Sequence, residues 1–178
     1  MRRSARLLCV VFVAAELLAA APARAQASEA SVKAAFLPRF ARYVSWPAVA
    51  VPKDNDPFVL CVVGSSSFGN AVESAARSQS VDGRRVIVRK VSNPGSIAGC
   101  HIAFISGGGN QRAGQMLAAI GRRPVLTVTD TGSGAQRGII HFTVVNGRVR
   151  FFIDQAAAQQ RGLQISSRLL ALAVGVRQ

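Results

Sequence analysis

Acidic side chains are scarce in this 178-residue chain, eight against 22 basic ones, for a formal net charge of +14. Histidine occurs twice, tryptophan and tyrosine once each, and cysteine three times. Each shortage narrows the chemistry. Two histidines and no C-x-x-C pair leave a zinc-type ligand set without a spacing to rest on. Glycosidase-type acid–base work needs two carboxylates at one cleft. Only Asp130 and Asp154 sit at comparable strand ends, and capping is the plainer reading of both. Ser106 precedes a glycine run, but the chain has no G-x-S-x-G elbow. His101 follows Cys100 directly, and adjacent strand residues point to opposite faces, so the two do not make a nucleophile–base pair. His141 falls in mid-strand and reads as a packed or paired side chain. These absences predict a chain without catalytic machinery, metal or cofactor. Beyond the N-terminus no stretch approaches the roughly 20 apolar residues that span a bilayer, and no internal repeat is found.

What is present begins with a leader. Arg2, Arg3 and Arg6 precede the apolar run 7–21, broken only by Glu16, and Ala23-Arg24-Ala25 supplies a small-x-small cleavage pattern. The competing readings are a membrane anchor and a buried helix, against which stand the short apolar core and Pro22. Cys9 precedes most of the apolar run, which argues against lipid attachment. Residues 1–25 are therefore expected to be a cleaved signal peptide, and 26–178 one periplasmic domain. The exported part carries 18 basic and seven acidic side chains, a net charge of about +11. The basic residues fall in scattered pairs (Arg84/Arg85, Arg89/Lys90, Arg122/Arg123), not one dense run, and a secreted protein rarely meets nucleic acid. The excess is read as the compositional bias of a GC-rich genome, or as a basic face toward anionic headgroups or an acidic partner.

Cleavage leaves Cys61 and Cys100, an even number in an oxidising compartment. Each adjoins an apolar run, 58–63 and 100–105, so neighbouring strands could bring the sulfurs together. The bridge would close a loop of about 40 residues and contribute roughly 3–4 kcal/mol. The alternative is a pair of buried free thiols.

Periodicity predicts a helix over 31–45, kinked or split at Pro38 and ended by Trp46-Pro47. A polar loop (48–56) leads to a buried strand at 58–63, a turn at 64–67 and a helix at 68–78. A strand follows at 85–91, another at 102–105, then a helix at 112–120 closed by Gly121 and a strand at 124–129. Asn146-Gly147 marks a hairpin between strands 139–145 and 148–154. Within the second strand, Val149, Phe151 and Ile153 share one face, and Arg150, Phe152 and Asp154 the other. A short helix from Gln155 and one over about 166–174, capped by Ser166 or Ser167, finish the chain. The order predicts an α/β fold: a three-layer sandwich whose partly parallel sheet carries an antiparallel hairpin and is flanked by helices.

Two glycine turns follow strands and open helices, one with Gly64 and Ser65, the other with Gly107 and Gly108. Backbone amides there could hold an anion. Neither has the lysine of a P-loop or a dinucleotide fingerprint, and an ordinary tight turn is the competing reading. Together they would lie at the carboxyl ends of parallel strands, where open sheets bind ligands.

Several ordered blocks resemble the YfiR/HmsC family. They are the run 33–37 followed by Phe40-Ala41-Arg42-Tyr43-Val44 and Trp46-Pro47, Cys61-Val62-Val63-Gly64 with Phe68-Gly69, and Cys100-His101-Ile102-Ala103-Phe104-Ile105. The runs 124–130, 138–140, 147–151 and 162–170 continue the pattern, so the resemblance covers nearly all of 31–174. It implies a periplasmic, non-catalytic α/β regulator that binds the sensor region of an inner-membrane diguanylate cyclase. Repression would lower cyclic-di-GMP and with it biofilm and exopolysaccharide. It also implies release by an outer-membrane lipoprotein, homodimerisation, and a redox-sensitive Cys61–Cys100 bridge. Where relatives often carry Glu-Ile-Asn, this chain has Phe152, Ile153 and Asp154, and His141 replaces a common Asn; Phe152 removes a charge and adds apolar surface. Aromatic–arginine clustering points to Arg150, Phe151, Phe152 and Arg168 as the partner surface, with core packing the competing reading for Phe151. A periplasmic binder of small anions at the glycine turns is the alternative function.

Overall fold

The computed structural model describes residues 28–53, 55–63 and 66–178. The leader expected over 1–25 lies outside them, as do Gly64 and Ser65. Helix α1 (Glu29–Phe40) starts where the Ser28 hydroxyl accepts a hydrogen bond from the Ser31 amide. It stops earlier than periodicity suggested. Pro38 lies in its last turn, and the chain tightens into a 3-10 turn over 41–43. Proline has no N–H to continue the ladder. Strand β1 (Val44–Ser45) then pairs antiparallel with β9 (Gln164–Ile165) as a separate small sheet.

The main sheet is built in chain order from β2 (Phe58–Val63), β3 (Ser80–Val81), β4 (Arg84–Val91), β5 (Ile102–Ile105), β6 (Leu126–Thr129), β7 (Ile140–Val145), β8 (Arg148–Asp154) and β10 (Gly175–Arg177). Its spatial order is β10-β8-β7-β6-β5-β2-β4-β3. The five strands from β4 to β7 run parallel, β7 and β8 form the expected antiparallel hairpin, β10 lies parallel to β8, and β3 is an antiparallel edge. Positive φ at Asn146 (50°) and Gly147 (70°) is what a type I′ turn requires. Helices α2 (Ser66–Ala76) and α3 (Gly109–Ile120) cross between parallel strands, and α4 (Gln155–Gln159) and α5 (Ser167–Leu170) follow the hairpin.

Strand alternation divides the interior in two. Leu60, Val62, Ile102, Phe104, Leu126, Val128, Ile140 and Phe142 face one core with Leu37 and Phe40 of α1 and Val72 of α2. Cys61, Val63, Ala103 and Ile105 face the other, with Ala113, Met116 and Ile120 of α3. Helices on both faces give the three-layer arrangement. Two local expectations are corrected. The last helix does not reach Val174. It ends after one turn at Leu170, because the open edge of β8 offers hydrogen bonds that draw in the terminal segment; the Val174 amide donates to the Phe151 carbonyl and Gly175 registers with Phe152. The loop 48–56 is not polar throughout, since Val49 stands 94% exposed at its tip. Among the described residues no helix is long and apolar enough to cross a membrane.

Candidate functional site

The two faces of the sheet are finished differently. Helix α3 packs on β2, β5 and Val125 on its side, and the 138–139 segment bonds to Thr127 and Thr129 of β6, but the same face of β8 and β10 and the far end of β7 stay open to solvent. Arg148 and Arg150 project there from β8, Val145 from β7 is 40% exposed, and Phe152 is 46% exposed. The Phe152 ring rests over Gly175 of β10, so closely that a Cβ at that glycine would lie 3.0 Å from ring carbon Cδ1. Beside it a cleft of about 640 Å³ is bordered by Arg137, His141, Phe152, Asp154, Gly175 and Arg177.

Of the four residues proposed for partner contact, the structure brings Arg150 and Phe152 together on this face. Phe151 points the opposite way. It is 3% exposed and packs edge-on to Phe40 at 5.3 Å and Phe36 at 6.0 Å, so alternation removes it from any surface role. Arg168 is exposed on α5, whose Leu169 packs into the Phe151 core, which places it with the other layer.

His141 is buried at the inner margin of the open face, with Nδ1 2.9 Å from Thr129 Oγ1. Burial pushes its pKa down to about 4, with Arg137 and Lys33 acting in the same direction and Asp130 opposing. The imidazole is therefore neutral near pH 7. Asp154 caps α4 through the Ala157 amide (2.9 Å) and pairs with Arg177.

At the carboxyl ends of β5 and β6 the chain buries the ion pair of Lys33 and Asp130, joined from the surface by the half-exposed Glu29. Lys33 Nζ lies 2.8 Å from Asp130 Oδ2 and 2.6 Å from Glu29 Oε1. Asp130 Oδ1 accepts from the Ser106 hydroxyl (2.7 Å) and the Gly132 amide (3.0 Å). Burial acts to lower the Lys33 pKa, but the hydrogen bonds and charges of Asp130 and Glu29 outweigh it and hold the pKa above its ordinary value. A lysine held as a cation with both carboxylates satisfied is a structural pin, not a base. Asp130 and Asp154 share no partner, so they form no acid pair, and each caps a turn or helix. Gly107 and Gly108 follow β5 with φ of 77° and 75°. The 131–133 turn closes against Gly107, the Arg112 side chain lies along Gly108, and both glycines remain beside the switch point between β2 and β5.

Cys61 and Cys100 are joined as a disulfide with Cα atoms 5.8 Å apart, which answers the free-thiol alternative. One further place was not legible in the sequence. A cleft of about 380 Å³ lies between the small sheet and the β3–β4 edge, bordered by Arg42, Tyr43, Trp46, Phe58, Arg84 and Ser166. Trp46 Nε1 and Arg84 Nε are buried there, and among the described residues they are the buried side-chain donors without a hydrogen-bond partner.

A family model described as YfiR/HmsC-like matches residues 30–174. No curated protein matches the chain.

Proposed function

The chain belongs to the YfiR/HmsC-like family, whose members are known as regulators of diguanylate cyclases, and from that premise we propose that it is a periplasmic, non-catalytic repressor of one such cyclase. In this reading residues 1–25 are removed on export, and the remaining domain binds the cyclase's sensor region outside the inner membrane. The observation that carries the reading is the open β7–β8–β10 face, where a half-exposed aromatic stands beside Arg148 and Arg150. Aromatic and arginine side chains of this kind anchor protein interfaces. Repression is then a population shift: the domain stabilises the sensor's inactive conformation, and the inhibition it achieves is bounded by its differential affinity for the two states. Competition by an outer-membrane lipoprotein would release the cyclase, and a homodimer would present two such faces.

The test is capture of detergent-solubilised inner-membrane proteins on the immobilised domain with its disulfide intact. Enrichment of a cyclase bearing a periplasmic sensor, together with reduced cyclic-di-GMP when the domain is supplied in excess, is the expected result. Recovery of no such cyclase removes the reading.

A second reading, a binder of small anions, draws on the two orphaned donors at the 380 Å³ cleft. Leaving a buried donor unpaired costs about 1–3 kcal/mol, and a carboxylate or phosphate seated between Trp46 and Arg84 would recover it. Saturable thermal stabilisation by a small carboxylate, lost in Arg84→Ala, would favour this reading. The turn with Gly107 and Gly108 is the other place this reading points to, through backbone amides; Gly64 and Ser65, its counterpart in the sequence, lie outside the described residues.

A further inference from the structure

The disulfide has a cationic neighbour that neither the fold nor the proposed partner surface uses. Arg89 on β4 registers with Cys61 on β2. Its Nη2 lies 3.2 Å from Cys100 Sγ and 3.4 Å from Cys61 Sγ, and the same nitrogen donates to the Ala98 carbonyl, which anchors it over the bridge. Among the described residues no carboxylate lies within ion-pairing distance of Arg89. The guanidinium is thus held against the two sulfurs with its charge unspent.

We propose that Arg89 makes the Cys61–Cys100 bridge a thiol–disulfide exchange site, entered at Cys100 by a dithiol reductant, with Cys61 leaving as a thiolate held by the guanidinium. Family membership already implies a redox-sensitive bridge; new here are the residue that tunes it, Arg89, and the sulfur that is attacked, that of Cys100. The tuning follows from an asymmetry. A disulfide sulfur is a weak acceptor and gains little from an arginine, whereas a thiolate forms a strong charge-assisted hydrogen bond with it. An interaction that strengthens on reduction shifts the equilibrium toward the dithiol and lowers the thiol pKa of the leaving group, which speeds exchange.

The point of attack follows from access. Cys61 has no exposed surface, while Cys100 is 5% exposed and borders a cleft of about 610 Å³. That cleft also presents Lys53 and Arg123, which favour an incoming thiolate, and Asp56, which opposes it. His101, next to Cys100, accepts from the Val59 amide through Nδ1, and burial lowers its pKa, so it contributes no charge near pH 7.

In the exchange, one thiolate of the reductant attacks Cys100 Sγ. The protein S–S bond breaks, and its electron pair departs on Cys61. The reductant's second thiolate then attacks its own partner sulfur in the mixed disulfide and expels Cys100 as a thiolate. Two electrons have moved to the protein, the reductant has become a disulfide, and the two cysteine thiolates take up protons from water as the pH dictates.

The exported protein can be equilibrated in dithiothreitol redox buffers and its thiols counted by alkylation. At about pH 9.5, above the ordinary thiol pKa, Arg89→Gln should need about tenfold more reducing buffer for half-reduction, matching a loss of about one pKa unit of thiolate stabilisation. Arg89→Lys, which keeps the charge, should stay within about twofold to threefold of the native protein. Arg89 is exposed and outside both cores, so these variants should fold, and far-ultraviolet dichroism checks that they do. Glutathione trapped as a mixed disulfide should be found on Cys100 by peptide mass spectrometry. An unchanged half-reduction point in Arg89→Gln would overturn the tuning, and glutathione on Cys61 would overturn the direction of attack.

Discussion

Phe151 and Phe152 are neighbours on one strand with opposite fates. The first is sealed among Phe36, Phe40 and Phe142 under α1; the second lies half exposed over Gly175 on a face that no described helix covers. The contrast extends to the whole sheet. One face is covered over most of its width by α1, α2, α4 and α5, leaving Val144 and Val176 partly exposed at its margin, while on the other the core around α3 and Ile97 reaches no further than Val125. The covered face has a stability role that explains its residues. The open end presents an aromatic and two arginines to solvent, and the proposed partner contact draws on that arrangement.

Mutations should separate the two faces. Phe151→Ala should cost about 3–5 kcal/mol in denaturant unfolding, the usual cost of deleting a buried phenylalanine, whereas Phe152→Ala, which removes a half-exposed ring resting on Gly175, should cost only about 1 kcal/mol. Equal losses would mean that the open face is covered in solution. Lys33→Ala should cost about 3 kcal/mol by leaving Asp130 buried without its cation. Because the folded pKa of Lys33 is raised, its contribution is complete below the ordinary lysine value of 10.5 and should fade as pH rises beyond it, visible as alkaline loss of stability in the native protein but not in Lys33→Met.

His141 gives a third effect at the boundary between the faces. The unfolded chain binds a proton near pH 6.5 and the folded one only near pH 4. Stability should therefore be full above pH 6.5 and fall by up to roughly 3 kcal/mol as pH drops through that window. Urea unfolding at pH 7 and pH 4.5 measures it, and His141→Gln should flatten the difference. The smallest effect on stability belongs to Arg150→Glu, expected within about 0.5 kcal/mol, with capture of the cyclase as the property it should change.

Much of the architecture could be read from periodicity and turn chemistry. Continuous apolar runs at 58–63 and 102–105 announced strands buried on both faces, Asn146-Gly147 announced the hairpin, and alternation along 148–154 sorted Phe151 from Phe152 by face. Naming both as surface residues overrode that alternation in favour of composition, and packing decided for alternation. The edge strands were harder. β3 was missed although Asp82-Gly83, with φ of 49° and 77°, carries a hairpin signature. β10 (175–177) was not read at all, since it follows directly on the stretch expected to be helical to about Val174, and the unpaired edge of β8 explains why the chain turns extended there. The Lys33–Asp130 pin joins residues 97 positions apart, and the orphaned donors of Trp46 and Arg84 depend on strands meeting across the fold. Neither has a local pattern to betray it. The disulfide was legible by counting alone, but its arginine was not, since Arg89 looked like one of many scattered cations.

The central claim is that the open β7–β8–β10 face holds a cyclase's sensor region. The most direct measurement is the affinity of the purified sensor region for the native domain and for a Phe152→Ala/Arg150→Glu double variant checked to be folded by far-ultraviolet dichroism. The account predicts saturable binding to the native domain and at least a tenfold weaker complex with the variant, about 1.4 kcal/mol or more. Equal affinities would contradict it and move the interface elsewhere on the molecule.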